Sequence, residues 1–213
     1  MAGKLYFAAF VVAQVVVMTT SQNPPQATTK ISAPTDAPVP VLTADNIKTV
    51  LDVHNEARRL ENAKDMPELK WNADLAVRAQ NWTDACKFAH QPPRVRRWGE
   101  NIAAVGNTRP IPSQLTAMIN EWIAEKKFNT GGTFEECCSF RASDCCHYTQ
   151  VVWSRTTHVG CGYTVCPTLA YGSGSLTDIA FLACYYTPSG NSPIVTYDWK
   201  PFAQGTPNPV PPA

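Results

Sequence analysis

Apolar positions in the first half of the chain recur at helical spacing. Ile47, Val50, Leu51, His54 and Ala57 fall on one face of a helix that Thr43 caps and that runs to about Leu60. Asn72 caps a second helix, where Leu75, Ala79, Trp82 and Cys86 repeat the pattern. Ser113, just after Pro112, opens a third, with Leu115, Met118, Ile119 and Trp122 as its stripe. The second half reads differently. His147–Ser154, Thr157–Val165 and Ile179–Thr187 are rich in β-branched and aromatic residues, separated by Arg155-Thr156 and by the Gly172–Ser175 cluster. Helices first and antiparallel strands later predict a layered α+β domain rather than a doubly wound one.

The two ends lack this patterning. Lys4 precedes an apolar run from Leu5 to Met18, with small residues Thr19 and Ser21 before Gln22. This reads as a signal peptide over residues 1–21, too short for a membrane span. Residues 22–42 form a Pro/Thr-rich linker and 203–213 a Pro-rich tail, which leaves 43–202 as the folded domain.

Composition narrows the class. Only 16% of residues are charged and the formal net charge is +1, which argues against nucleic-acid binding. A 44% hydrophobic content with six Trp and eight Phe argues against disorder. The eight Cys form no CxxC pair, and their even number fits a disulfide framework in an oxidising, extracellular compartment.

Four histidines can be weighed singly. His54, on an apolar stripe, reads as a core residue bonded to backbone, and His158 receives no role. His90 follows the second helix, and His147 opens the first β-type run on the face of Thr149, Val151 and Trp153. Glu100 shares one face of a short strand with Trp98 and Ile102. Glu125 lies three residues beyond Trp122, at the border of the third helix's stripe. Acids in such places need partners. Two His and two Glu converging in a cleft would suit a divalent cation or acid/base chemistry; the bland reading is four unrelated surface residues.

The segments HNEAR (54–58), KFAH (87–90), GEN (99–101), WIAE (122–125), HYTQVVW (147–153), GCG (160–162) and PSGN (188–191) follow one another in order. Together they resemble the CAP superfamily of cysteine-rich secretory proteins, venom allergens and plant pathogenesis-related class one proteins, over about residues 44–191. The resemblance implies a three-layer α-β-α sandwich with a central antiparallel sheet. It also implies that His90, Glu100, Glu125 and His147 line one cleft, with a divalent cation, zinc or magnesium, held at His90 and His147 and no obligatory cofactor. Gln91 and Ile123 depart from residues common in the family, Ser and an aromatic. No Cys follows Asn191, so the resemblance does not extend to the channel-blocking module of longer animal members.

Similarity to the plant members implies the disulfides Cys86–Cys166 and Cys161–Cys184. Four cysteines remain, Cys137, Cys138, Cys145 and Cys146. Strain in a vicinal ring favours cross-pairing, such as Cys138–Cys145 with Cys137–Cys146, and a zinc cluster with His147 is the alternative. Asn81-Trp82-Thr83 is the only N-glycosylation sequon, on a helix whose Trp82 points inward. Lys87, Arg94, Arg96 and Arg97 form a basic cluster near His90, read as a solvated loop or as a site for anionic surfaces.

The family offers three functional classes. One is binding of a sterol or fatty acid, with Phe128, Phe134 and Phe140 as apolar contacts in the loop after the third helix. Another is a receptor-directed interaction protein in defence or host modulation. The third, a metal-dependent hydrolase using the His/Glu cleft, has less behind it: no GxSxG elbow exists, and two His make an open site.

Overall fold

The computed structural model describes residues 42–92, 94–130, 133, 137–138, 144–191 and 200–203. The expected signal peptide, the linker up to Val41 and the tail beyond Ala203 lie outside them. Leu42, expected as the last linker residue, is instead buried in the core because its side chain packs into the apolar cluster. Helix α1 (Ala44–Leu60) begins at Thr43, whose hydroxyl accepts from the Asn46 amide, and α2 (Ala73–Asp84) begins at Asn72, which accepts from Leu75. Both starts match the sequence expectation.

Helix α3 (Ile111–Ala124) starts earlier than Ser113. Pro110 precedes it and Pro112 sits in its first turn, where a missing N–H costs no hydrogen bond. A 3₁₀ turn, Glu125–Phe128, follows α3 directly.

The strands are β1 (Lys70–Trp71), β2 (Gly99–Gly106), β3 (His158–Tyr171) and β4 (Gly174–Thr187), in the order β1-β3-β4-β2. β2, β4 and β3 are antiparallel; β1 adds a two-residue parallel edge to β3. The Gly172-Ser173 turn closes the β3–β4 hairpin, with Gly172 at φ +51°.

The expected strand at His147–Ser154 is instead helix α4 (Cys146–Val151), and Arg155-Thr156 joins a helix to β3. The alternation of β-branched residues misled, because the capping of α4 comes from distant segments.

β4 is covered on both faces, as a central strand between two helical layers must be. Ala180, Leu182, Cys184 and Tyr186 join Val50, Leu115, Met118, Ile119, Trp122 and Val151 from α1, α3 and α4. Phe181, Ala183 and Tyr185 join Leu75 and Ala79 of α2. This is the three-layer α-β-α sandwich.

Gly160 and Gly162 let α2 lie directly on β3. A Cβ at Gly160 would come 2.4 Å from the Ala76 amide, and one at Gly162 would come 2.2 Å from that of Gln80. Between them Cys161 points to the other face and bonds Cys184, its direct cross-strand neighbour.

All eight cysteines are paired. Cys86–Cys166 and Cys161–Cys184 are the bridges the resemblance implied. The remaining pairs are Cys137–Cys145 and Cys138–Cys146, not the nested cross-pairing, and no thiol is left for a zinc cluster. The Cys145 amide donates to the Cys137 carbonyl at 3.1 Å, which sets those two residues opposite each other and carries Cys138 to Cys146.

Candidate functional site

Two histidine–carboxylate pairs form. His90, in the segment after α2, donates through Nδ1 to Glu100 Oε1 at 2.6 Å. Glu100 lies on β2 with its carboxylate fully buried, while the His90 ring is half exposed. The same carboxylate accepts from the Gln91 amide at 3.1 and 3.3 Å and from Arg96 at 3.2 Å. The backbone of Gln91 makes this contact, so the departure from Ser leaves it intact. Directly across the sheet from Glu100 is Tyr185. Burial first, and then the Glu100 charge, push its phenol up, Arg96 opposing, although the hydroxyl is not aligned for a hydrogen bond.

His147 donates through Nδ1 to Glu125 Oε1 at 2.6 Å. Glu125 is the first residue of the 3₁₀ turn, and its Oε2 accepts from the amides of His147 (2.9 Å) and Tyr148 (3.2 Å). One carboxylate thus orients the ring and takes two of the free amides that open α4. The Trp122 indole stacks on the His147 ring at 5.9 Å and 19°. Asn101, which follows Glu100 on β2, donates to the His147 carbonyl at 3.0 Å. Asn191 donates to the Cys146 carbonyl and accepts from Thr149.

Behind the pairs lies a buried chain. His54 Nδ1 donates to the Val50 carbonyl, so Nε2 accepts from the Tyr186 hydroxyl at 2.9 Å, and Asn101 donates to that hydroxyl at 3.4 Å. The expectation of a core histidine holds. Burial lowers His54 to about 4, against the bond to Val50. Arg58, one turn on and also buried, donates to the carbonyls of Pro67, Val151, Trp153 and Thr156. Burial lowers it to about 9, so it stays charged at neutral pH.

The pairs open onto two cavities that share no residue. One, of about 310 Å³, is lined by Trp122, Ala124, Glu125, Lys127, Phe128 and His147, with Glu121. The other, of about 250 Å³, is lined by Arg96, Gly99, Glu100, Gln150 and the Ser189–Asn191 turn. With Nδ1 engaged, each imidazole offers a cation only Nε2, on a ring held by a carboxylate as metal-binding histidines are. Two nitrogens fall short of a protein-built site. Among the described residues no group of three His, Cys, Asp or Glu is placed to hold a metal. Neither ring hydrogen-bonds a hydroxyl or thiol there.

Phe128 is 48% exposed, whereas Phe134 and Phe140 lie outside the described residues. Asn81 is exposed, with Trp82 half-buried beside it. Of the basic cluster, Arg96 belongs to Glu100, while Lys87, Arg94 and Arg97 are exposed. Ile123 packs against the core of the α1–α3 layer. Sequence reasoning did not assign the roles of Arg58, Asn101, Tyr186 and Asn191. The one signal was their place inside or beside the recurring segments.

This layered domain, with one histidine–glutamate pair anchored on β2 and the other on the turn that follows α3, is that of a known class. The chain belongs to the CAP, or cysteine-rich secretory protein, family, which it matches over residues 51–186. It is 37% identical over 180 residues to GLIPR1-like protein 1 of Bos taurus, covering 79% of this chain and 68% of that protein. It is 33% identical over 171 residues to Venom allergen 5 of Brachyponera chinensis, covering 70% and 82%. Identity to Peptidase inhibitor 16 of Mus musculus is 33% over 172 residues, but the chain spans only 32% of that protein's length. Among solved structures it resembles BmVAL-1 (TM-score 0.64, 22% identity, 80% of this chain and 88% of that one) and NaASP2 with Zn2+ (0.59, 20%, 77% and 88%). At these identities the likeness is one of fold. Among the described residues no helix is long and apolar enough to cross a membrane.

Proposed function

We propose that this chain is an extracellular protein that binds an amphipathic lipid, a sterol, in the cavity at the C-terminal end of α3. Four disulfides and membership of a secretory family support the location. The observation that carries the ligand class is Phe128, a large aromatic left 48% exposed at a cavity of about 310 Å³. Trp122 and Ala124 add apolar wall, and the Nε2 of His147, free of any partner among the described residues, offers a polar end for a hydroxyl. No step of this binding runs through a metal ion.

Labelled cholesterol should bind the purified chain saturably. Phe128→Ala should weaken it about fivefold, the value of burying half a phenylalanine ring, and leave the melting temperature unchanged. Absence of saturable uptake by the wild-type chain overturns the reading. Uptake of fatty acid alone, without competition by cholesterol, overturns the sterol assignment.

A further inference from the structure

We infer that Asn81 carries an N-linked glycan, that its first sugar covers the apolar groove between α2 and β1, and that it is attached before α2 docks on the sheet. This rests on the extracellular reading, because the transfer takes place on the lumenal side of the secretory route.

The groove is lined by Leu42, Trp71, Ala76, Val77, Asn81 and Cys161, with Gln80 as its other polar residue. Val77 is 41% exposed there, and Trp71 is half-buried. Asn81 lies four residues after Val77, so both share one face of α2. Side chains of a helix lean toward its N-terminus, which carries the Asn81 amide over Val77 and the groove. The occupant is therefore attached to the groove's own rim: the apolar face of an N-acetylglucosamine joined to Asn81 Nδ2.

The order of events follows from Thr83, the residue that completes the sequon. In the fold its side chain is fully buried. Its hydroxyl donates to the Gln80 carbonyl at 3.0 Å and accepts from Thr164 of β3 at 2.9 Å. Three residues on, Cys86 is bonded to Cys166 of the same strand. A transferase that reads asparagine and threonine two residues apart cannot reach this hydroxyl once the helix has docked.

The donor is a lipid-diphosphate-linked oligosaccharide. A bond forms between Asn81 Nδ2 and the anomeric carbon of the first sugar while the bond from that carbon to the diphosphate oxygen breaks. The electron pair leaves with the lipid diphosphate, and the amide gives up one proton.

The full chain expressed through a eukaryotic secretory route should leave the cell carrying a glycan that peptide-N-glycosidase removes and that Asn81→Gln lacks. A secreted wild-type chain with no such mass overturns this inference alone; a chain that never leaves the cell overturns the extracellular reading with it. In vitro, transferase and lipid-linked donor should modify the reduced, unfolded chain and leave the oxidised, folded chain unmodified. Equal rates on both overturn the ordering. Trimming the glycan to one N-acetylglucosamine should preserve the melting temperature. Full removal should lower it by about 2–4 °C, and Val77→Ser should abolish that difference. Equal melting temperatures for trimmed and bare chains overturn the groove assignment.

Discussion

His54 is kept neutral by its surroundings. The Val50 carbonyl holds its proton on Nδ1, and Nε2 accepts from Tyr186, whose phenol burial keeps protonated. With the folded value lowered to about 4, the unfolded chain takes up a proton below pH 6.5 that the fold refuses. The stability this group contributes is complete above pH 6.5 and is lost as pH falls to about 4, a change of about 3 kcal/mol. Urea midpoints should therefore fall more steeply over that window for the wild-type chain than for His54→Gln. Parallel curves would contradict the linkage. His54 was legible in the sequence because apolar residues flank it at helical spacing. Arg58, on the same helix, was not. A charged residue one turn along reads as a solvent-facing edge, and three of the carbonyls it serves lie 93 to 98 residues away.

Among the elements, α4 shows what local pattern cannot supply. Six residues make a marginal helix, and HYTQVV has the composition of a strand. Its amide end meets the Glu125 carboxylate and its carbonyl end meets the Arg58 guanidinium, so each end faces the charge that opposes its dipole. Both charges come from other elements, and for that reason the sequence read as β. α1 and α2 were legible because their caps and apolar stripes are contiguous. β1, at two residues, carries no pattern at all. The pairing of each histidine with its glutamate likewise depends on β2 and the 3₁₀ turn lying where the layers place them. The GCG segment makes a sharper prediction at this scale. Gly162→Ala would drive a Cβ into the backbone of α2 and should cost about 1–3 kcal/mol or more. Gly106→Ala, whose Cβ would meet nothing nearer than 3.9 Å, should fall within about 0.5 kcal/mol. Denaturant titration of the two variants checks it, and equal midpoints would mean that α2 does not need the close approach.

For the molecule as a whole, the layers place each histidine–glutamate pair beside a cavity, and Asn101 and Asn191 tie the Glu100 side to the helix that carries His147. Each pair is seated on a rigid element, one on β2 and one on the junction of α3 with α4. Cys86–Cys166 and Cys161–Cys184 interlock, since the second bridge starts inside the loop closed by the first. Their consequence is mechanical. A chain stretched from its ends runs from Cys86 across to Cys166, back five residues to Cys161 and across to Cys184, bypassing nearly everything in between. Under tension the oxidised protein should therefore extend by its flanks alone. Reduction should release roughly 90 further residues, on the order of 300 Å of contour length, in an optical-trap trace. The histidine–glutamate pairs draw His90, Glu100, Glu125 and His147 from inside that bypassed loop, so a pull on either terminus carries no load through them.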